Sequence, residues 1–481
     1  MIDFVVHNMA PLMFAGLILF MLYGYPAAFS LAAVGLFFGL IGIELDLIQP
    51  DFLGNIVFQL ESIVRNDLLL AIPFFTLMGA ILERCGLAED LLEGFGQLFG
   101  SVRGGLSYAV ILVGAVLGAI TGTVAASVIA MGLISLPIML KYGYSVRHAT
   151  GVVAASGTIT QLIPPSLVLI VLADQMGVDV GEMYKGAIGP SVVQVLLFMG
   201  WVLILSFLRP QDIPALPLEA RTLCGWALAK RCIRGMVPSL ALIFIVLGTI
   251  FAGLATATEA GAMGVIGAFV LAWLNGRLTW DLVYQGMQTT MRITSMVVFI
   301  LIGARVFSLV FQGVGGKEWI ESFLVSLPGG QAGFLIFVNI FVFIIAFFLD
   351  FFEIAFIIVP LLMPAAASLG INPVWLGVLL GANMQTSFMH PPFGFALFYL
   401  RGIAPPSVKS SDIYWGAIPW VVLQLMLVAI LIFWPGLVTN FLDAEIVVDP
   451  NFEIIVPGNG GGDLSAPPVI DLSQPPAITP N

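Results

Sequence analysis

Apolar residues run in blocks long enough to cross a bilayer as helices, about 20 residues each, and polar residues collect between them. Blocks begin near Pro11 and Ala27, and a polar interval containing Glu44, Asp46, Asp51, Glu61, Arg65 and Asp67 follows. Further blocks cover 68–83, 105–140, 149–173, 187–208, 236–254, 258–274, 294–311, 332–369, 374–399 and 414–435. This pattern predicts an all-α polytopic membrane protein. Residues 278–293 read as a surface amphipathic helix leading into a span. The stretch 438–481, rich in Pro, Gly and Asp, reads as a disordered tail.

Two blocks, 105–140 and 332–369, are too long for one crossing, and each has a polar interruption at its middle. The first is Thr121-Gly122-Thr123; the second holds Asp350 and Glu353. A long apolar stretch with a central break reads as a re-entrant hairpin. Two other blocks carry Pro-Pro at mid-depth, within SGTITQLIPPS (156–166) and NMQTSFMHPPFG (383–394). Proline removes a backbone donor and clashes with the preceding turn, so these helices should unwind there. In lipid that is tolerable only where the freed groups line a cavity or meet polar partners.

The features repeat. Pro164-Pro165 recurs as Pro391-Pro392, and the same offset relates Pro137 to Pro364, Gly143 to Gly370 and Ala155 to Ala382. At a slightly larger offset, Gly186-Ala187-Ile188 recurs as Gly416-Ala417-Ile418. Each half thus holds a hairpin, a broken helix and a full span. The N-terminal half covers 1–208, a basic linker 209–235, and the C-terminal half 236–437. Most Lys and Arg fall on one side of the spans, including Arg84, Arg103, Lys141, Arg147, Arg209 and Arg401, while Arg65, Lys185 and Lys317 fall on the other. By the positive-inside rule the first side is cytoplasmic. Both termini then face the periplasm, and the repeats are inverted, the usual build of secondary transporters.

Composition narrows the class. The chain is 60% hydrophobic and 9% charged, where a soluble domain carries about 25% charged residues. A net charge of −11 argues against nucleic acid, which needs a basic patch. The opening residues lack the basic region of a cleavable signal peptide. Cys85, Cys224 and Cys232 show no metal-ligand spacing and read as free thiols. There is no GxxxxGK[ST] phosphate loop and no catalytic constellation, so the expectation is a carrier driven by an ion gradient, without a cofactor, rather than an enzyme.

The candidate chemistry lies at the tips and breaks. Thr121, Gly122 and Thr123, with Ser156, Gly157, Thr158 and Thr160 before Pro164 and Pro165, offer hydroxyls and freed carbonyls. Uncharged oxygens of this kind suit Na⁺, and half-helix N-termini favour an anionic substrate. The second half offers Asp350, Asn383, Gln385, Thr386 and Ser387 before Pro391 and Pro392. Ordinary helix packing also uses small polar residues. An intramembrane carboxylate is costly and suggests function, so Asp350 and Glu353 are ion-site or gating candidates. Alternatively one caps a half-helix or pairs with a buried arginine. Arg305 could draw a carboxylate substrate, but pairing with Asp350 or Glu353 is the favoured reading. Glu259 is expected to cap a helix start. His390 reads as a hydrogen-bonded packing residue rather than a proton relay, and the Phe-rich stretch 341–357 as packing.

Five segments carry a resemblance: 71–92 (AIPFFTLMGAILERCGLAEDLL), 121–144, SGTITQLIPPS, GLATATEAGAMG (253–264) and FLDFFEIAFIIVPLLMPAAASLGINP (348–373). Over about residues 5–437 the chain resembles the large, DctM-like membrane subunit of tripartite ATP-independent periplasmic (TRAP) transporters. NMQTSFMHPPFGFALFYLRG (383–402) and FSLVFQGVGG (307–316) are similar to the mannitol/chloroaromatic-type branch. The resemblance implies a Na⁺-coupled elevator-type carrier in the bacterial inner membrane. It implies a periplasmic binding protein that delivers an organic acid, and a separate small four-helix, DctQ-like membrane subunit. It also implies Na⁺ sites at Thr121–Thr123 with Ser156–Thr158, and at Phe348–Asp350 with Asn383–Ser387. The alternative class is a stand-alone dicarboxylate carrier or cation antiporter of related architecture.

Overall fold

The computed structural model of the chain describes residues 2–221, 225–392 and 394–443. Among them no strand occurs, and seven helices are long and apolar enough to cross a membrane, or nine if two bent pairs each count as one span. Cys224 and residues 444–481 of the expected tail lie outside the described residues, while the start of that tail, expected to be disordered from 438, is ordered, with Val438 buried in a short helix because its apolar side chain packs on the fold.

The first group of helices is α1 (Met9–Leu22), α2 (Ala27–Glu44), α3 (Asn55–Val64), α4 (Asp67–Arg84) and α5 (Leu87–Leu98). The first repeat follows. Its hairpin is α6 (Gly105–Thr121) and α7 (Val124–Lys141), its broken helix is α8 (Val146–Thr158) and α9 (Leu167–Met176), and its full span is α10 (Val180–Leu208). A second group comprises α11 (Gly225–Phe251), α12 (Ala257–Leu274), α13 (Trp280–Gly313) and α14 (Gly316–Val325). The second repeat has hairpin arms α15 (Gly330–Ile345) and α16 (Phe351–Ser368), broken helix α17 (Pro373–Met384) and α18 (Phe395–Ile403), and span α19 (Ser410–Phe433). A short α20 (Gly436–Thr439) ends the described fold.

The repeat is visible in how its helices end. Gly143 and Gly370 take positive φ, +81° and +67°, just past the second arm of each hairpin, a backbone state that glycine enters without a Cβ penalty. Shortly after each, Ser145 and Asn372 cap the broken helices, accepting hydrogen bonds from the His148 and Trp375 amides. Each break then contains a cis peptide, Pro164-Pro165 and Pro391-Pro392. The spans run in opposite senses. Phe198 of α10 meets Trp420 of α19 at 5.0 Å between ring centroids, while Gly189, earlier in α10, packs on Leu437 beyond the end of α19. The two spans are therefore antiparallel, as inversion requires.

Burial is most complete in the first halves of the two broken helices, and the first and second helix groups form the scaffold around the repeats. Every residue from His148 to Thr158 in α8 and from Val374 to Met384 in α17 is buried. α2, α11, α12 and α13 present bare apolar side chains, among them Phe29, Phe37, Phe244, Trp273 and Phe299, the faces expected against lipid. Three differences from the sequence reading have physical causes. The segment 278–293 is not a separate surface helix, because nothing between Trp280 and Gly313 breaks the helical ladder and α13 runs through both parts. The linker 209–235 is helical from Gly225 onward. Helices α3, α5 and α14 arise outside the long apolar blocks and are too short to cross a bilayer.

Candidate functional site

A cavity of about 890 Å³ lies where the two repeats meet the scaffold. Four helices begin on it. Val124 opens α7 and Phe351 opens α16, the returning arms of the hairpins, while Leu167 opens α9 and Phe395 opens α18, the second halves of the broken helices. A helix start exposes backbone N–H groups and the positive end of its dipole. Two of the four starts are locally neutralised. Ser166 accepts from the Val168 amide at 3.1 Å, and Asp350 accepts from the Glu353 amide at 3.0 Å. Thr123 and Gly394, the caps of α7 and α18, make no side-chain cap bond. The opposite wall is scaffold: Arg84 from α4, and Gln285, Gln288, Thr289 and Arg292 from α13. Arg84 is tied down, donating to the Ala80 carbonyl (2.9 Å), Gln285 Oε1 (3.3 Å) and Thr289 Oγ1 (3.3 Å). Arg292 stands exposed on the same wall.

The first hairpin turns at Gly122, whose φ of +62° reverses the chain between α6 and α7. Gly122 and Thr123 line the cavity; the side chain of Thr121 lies outside the described residues. The hydroxyls of the first break are buried behind this tip. Thr158 donates to the Ala155 carbonyl at 2.8 Å and Thr160 to the Gly157 carbonyl at 3.0 Å. Each keeps lone pairs while its proton is occupied. Ser156 Oγ has no partner. It sits against Gly114, where a Cβ would come within 2.7 Å of the Ser156 Cβ. Gly157 packs just as tightly on Val128.

At the second tip Asp350 and Glu353 form a reciprocal capping box, the Asp350 amide donating to Glu353 Oε2 at 3.0 Å. A π-helical turn, Ile354–Ile358, follows. Of the readings open to these carboxylates, the cap is the one observed, and Asp350 also faces the cavity. The favoured pairing of Arg305 is not found. No carboxylate lies within ion-pair distance of it among the described residues, and its Nε has no partner. The acids are engaged by the first turn of their own helix instead. Glu259 behaves as expected, forming a capping box with Thr256.

The second break mirrors the first with different groups. Thr386 and Ser387 donate to the Asn383 and Met384 carbonyls, both at 2.7 Å. Asn383 Nδ2 donates to the carbonyl and Oδ1 of Asn339 on α15, at 2.8 and 3.0 Å, and its own Oδ1 is unpartnered. Asn383 is the repeat mate of Ser156, at the offset that relates the two Pro-Pro pairs. One unsatisfied buried oxygen therefore occurs at the same place in each repeat. Gln385 is fully buried with both amide atoms free. Phe348 lines a smaller cavity of about 300 Å³ with Ser387 and Phe395. His390, expected to be hydrogen-bonded, has no partner on either ring nitrogen. It packs between Phe347 and Phe343, at 4.1 and 4.4 Å. The tips thus meet on the cavity, and the break residues Ser156, Thr158, Asn383 and Thr386 lie buried off its surface.

Sequence reasoning missed Gln161, Arg84 and Arg292 on the cavity, and Asn339, Gln194 and Gln424 buried behind it. The last two were detectable, because they are related by the same offset as the two Gly-Ala-Ile segments.

A family model described as "Tripartite ATP-independent periplasmic transporter, DctM component" matches residues 14–437. A C4-dicarboxylate TRAP transporter large permease protein of Pseudomonas aeruginosa is 30% identical over 392 residues, covering 81% of this chain and 90% of that one. An ectoine/5-hydroxyectoine TRAP transporter large permease protein of Ruegeria pomeroyi is 29% identical over 429 residues, covering 89% and 97%. Among solved structures, the YdaH transporter of Alcanivorax borkumensis superimposes with a TM-score of 0.59 at 15% identity, over 81% of this chain and 89% of that one. That likeness concerns the fold.

Proposed function

The chain belongs to the DctM family, the large permease subunits of TRAP transporters, and from that premise we propose that it carries an organic anion across the bacterial inner membrane, driven by a Na⁺ gradient. Members of this family work with a small membrane subunit and a periplasmic binding protein. In our reading, the binding protein hands a carboxylate to the cavity between the hairpin tips. The supporting observation is the convergence of four helix starts on one cavity, two without a side-chain cap, opposite Arg84 and Arg292. Each of the two uncapped starts favours an anion by about 0.3–1 kcal/mol, and the wall cations add to it.

The unsatisfied oxygens of Ser156 and Asn383, with the freed carbonyls around them, supply uncharged ligands at equivalent places in the two repeats. Such sets suit Na⁺. Their position behind the tips gives the coupling a physical basis: an ion bound there orders the backbone on which the tip rests. We read the hairpins and broken helices as one body that moves against the scaffold, with the substrate held at their junction.

The test is uptake in proteoliposomes containing this chain with its small subunit and a binding protein loaded with candidate acids. Accumulation that follows an imposed inward Na⁺ gradient is expected. Equal uptake under a K⁺ gradient would overturn the coupling, and full uptake by the lone chain would overturn the tripartite reading in favour of a stand-alone carrier.

A further inference from the structure

Two glutamines that do not line the cavity lie almost wholly inside the protein: Gln194 on α10 and Gln424 on α19, at 1% and 0% exposure. They are repeat mates. Their level in the fold follows from the antiparallel contact of the two spans. Gln194 lies one turn from Phe198 toward Gly189, and Gln424 one turn from Trp420 toward Leu437. Both therefore sit in one layer of the α10–α19 interface, on the helix faces that carry the Phe198–Trp420 pair. Repeat mates that share a layer of an antiparallel interface mark the pseudo-two-fold axis of an inverted repeat.

The symmetry of position is not matched by symmetry of bonding. Gln424 Nε2 donates to Thr158 Oγ1 at 2.9 Å, crossing from the second repeat to the last residue of α8, where the break of the first begins. Ser191, less than a turn from Gln194, shares its one hydroxyl proton between the Ala187 carbonyl of its own helix, at 2.7 Å, and the Leu162 carbonyl on the far side of the same break, at 2.9 Å. Left over are Gln424 Oε1 and both amide atoms of Gln194. That set contains an N–H donor as well as oxygens. It suits a water molecule, which can both accept and donate, and not a bare cation, which the donor would repel.

We propose that Gln424 is a positioning residue: through Thr158, at the end of α8, it fixes the unwound segment of the first repeat and so sets its affinity for Na⁺, without ligating the ion. This rests on the reading of that segment as an ion site. The test measures thermal stabilisation of the purified complex of this chain and its small subunit, titrated with NaCl against choline chloride. Gln424→Leu should raise the Na⁺ concentration for half-maximal stabilisation about tenfold, the effect of roughly one buried hydrogen bond. The Hill coefficient should stay unchanged. In a Thr158→Val background the same substitution should add no further shift, and Gln424→Asn provides a milder variant should the leucine form fail to fold. A fall in the Hill coefficient would make Gln424 an ion ligand and overturn the positioning role, as would an equal shift in both backgrounds. A wild type that responds to Na⁺ beside an unshifted Gln424→Leu overturns this inference alone. A wild type indifferent to Na⁺ overturns it together with the ion-site reading.

Discussion

The two repeats share a backbone and differ in charge. Thr123 and Asp350 are repeat mates, and both are the cap of a hairpin's returning arm. Thr123 makes no cap bond, whereas Asp350 is locked with Glu353 in a reciprocal box and followed by a π-helical turn. Hydroxyls brace both breaks, but the first adds a cross-repeat glutamine and the second an asparagine pair and a histidine between phenylalanines. Inversion fixes where the helices stop; the residues at the stops then assign each half different chemistry. The first tip offers the cavity an uncapped helix start, and the second a carboxylate. In an importer for anions that carboxylate would repel the substrate unless a cation offsets it.

The largest effect should come from removing that charge. Asp350→Asn keeps an acceptor at the cap, since asparagine caps about as well as aspartate, and removes the charge. Na⁺-driven uptake should fall at least a hundredfold while the purified protein keeps its melting midpoint. Thr123→Ala at the equivalent position should cost uptake threefold or less, because Thr123 has no cap bond to lose. Equal losses at the two tips would erase the proposed division of labour.

Next in size is the scaffold cation. Arg292→Gln should raise the half-saturating concentration of a dianionic substrate about fivefold to tenfold, as expected for one partly screened charge. Arg305→Gln, on the same helix, should change it less than twofold. Initial-rate uptake over a range of binding-protein concentrations separates the two. If Arg305 proved the larger, the cavity wall drawn here would not be the one the anion meets.

That contrast also shows what a sequence can carry. The hairpins and breaks were legible because their signals are one-dimensional: an apolar block too long for one crossing, or two prolines inside a span. The repeat was legible from the spacing of Pro164 and Pro391. Which arginine meets the cavity was not. The spacing of Arg292 and Arg305 is no whole number of helical turns, and at about 100° per residue it puts them on widely separated faces of α13. Only the packing of α13 against α2 and α4 decides which face meets the cavity. The carboxylates mislead for the opposite reason. Their partners lie within one turn, in a capping box readable from the D-x-x-E spacing, whereas the cost of buried charge directs attention to a distant arginine. Gln194 and Gln424 gave a positional signal but no chemical one, since a buried amide is informative only when its neighbours are known.

A smaller effect is expected at His390, whose repeat mate is Ile163. His390→Ile makes the second break resemble the first. Leaving the imidazole without a partner costs about 1–3 kcal/mol, while each of its two ring contacts returns about 0.5–1.5 kcal/mol. These offset, so the substitution should move stability by no more than about 1 kcal/mol. Uptake should change less than threefold, with the same profile from mildly acidic to mildly alkaline pH. A profile that flattens in the variant would give His390 a protonation role and make the second repeat a proton site as well as an ion site.

The smallest effect is the one that isolates the tip. The scaffold contains a second capping box, Thr256 with Glu259, built on the same spacing as Asp350 with Glu353 and remote from the cavity lining. In it the Thr256 amide donates to Glu259 Oε2 at 2.8 Å and the Glu259 amide to Thr256 Oγ1 at 3.3 Å. Thr256→Ala removes the second of those bonds, together with the 3.0 Å bond from Thr256 Oγ1 to Glu259 Oε2, at a cost of about 1 kcal/mol, which in a chain of this size lowers the melting midpoint by about 2 °C or less. Uptake per folded molecule should not change, because α12 begins away from both tips. If Thr256→Ala left uptake intact while Asp350→Asn abolished it, the cap at the second tip would be separated from its charge, and the charge would be the part that distinguishes the two repeats. If both variants lost uptake in proportion to stability, the capping box alone would explain Asp350, and the second tip would differ from the first only in how firmly its helix begins.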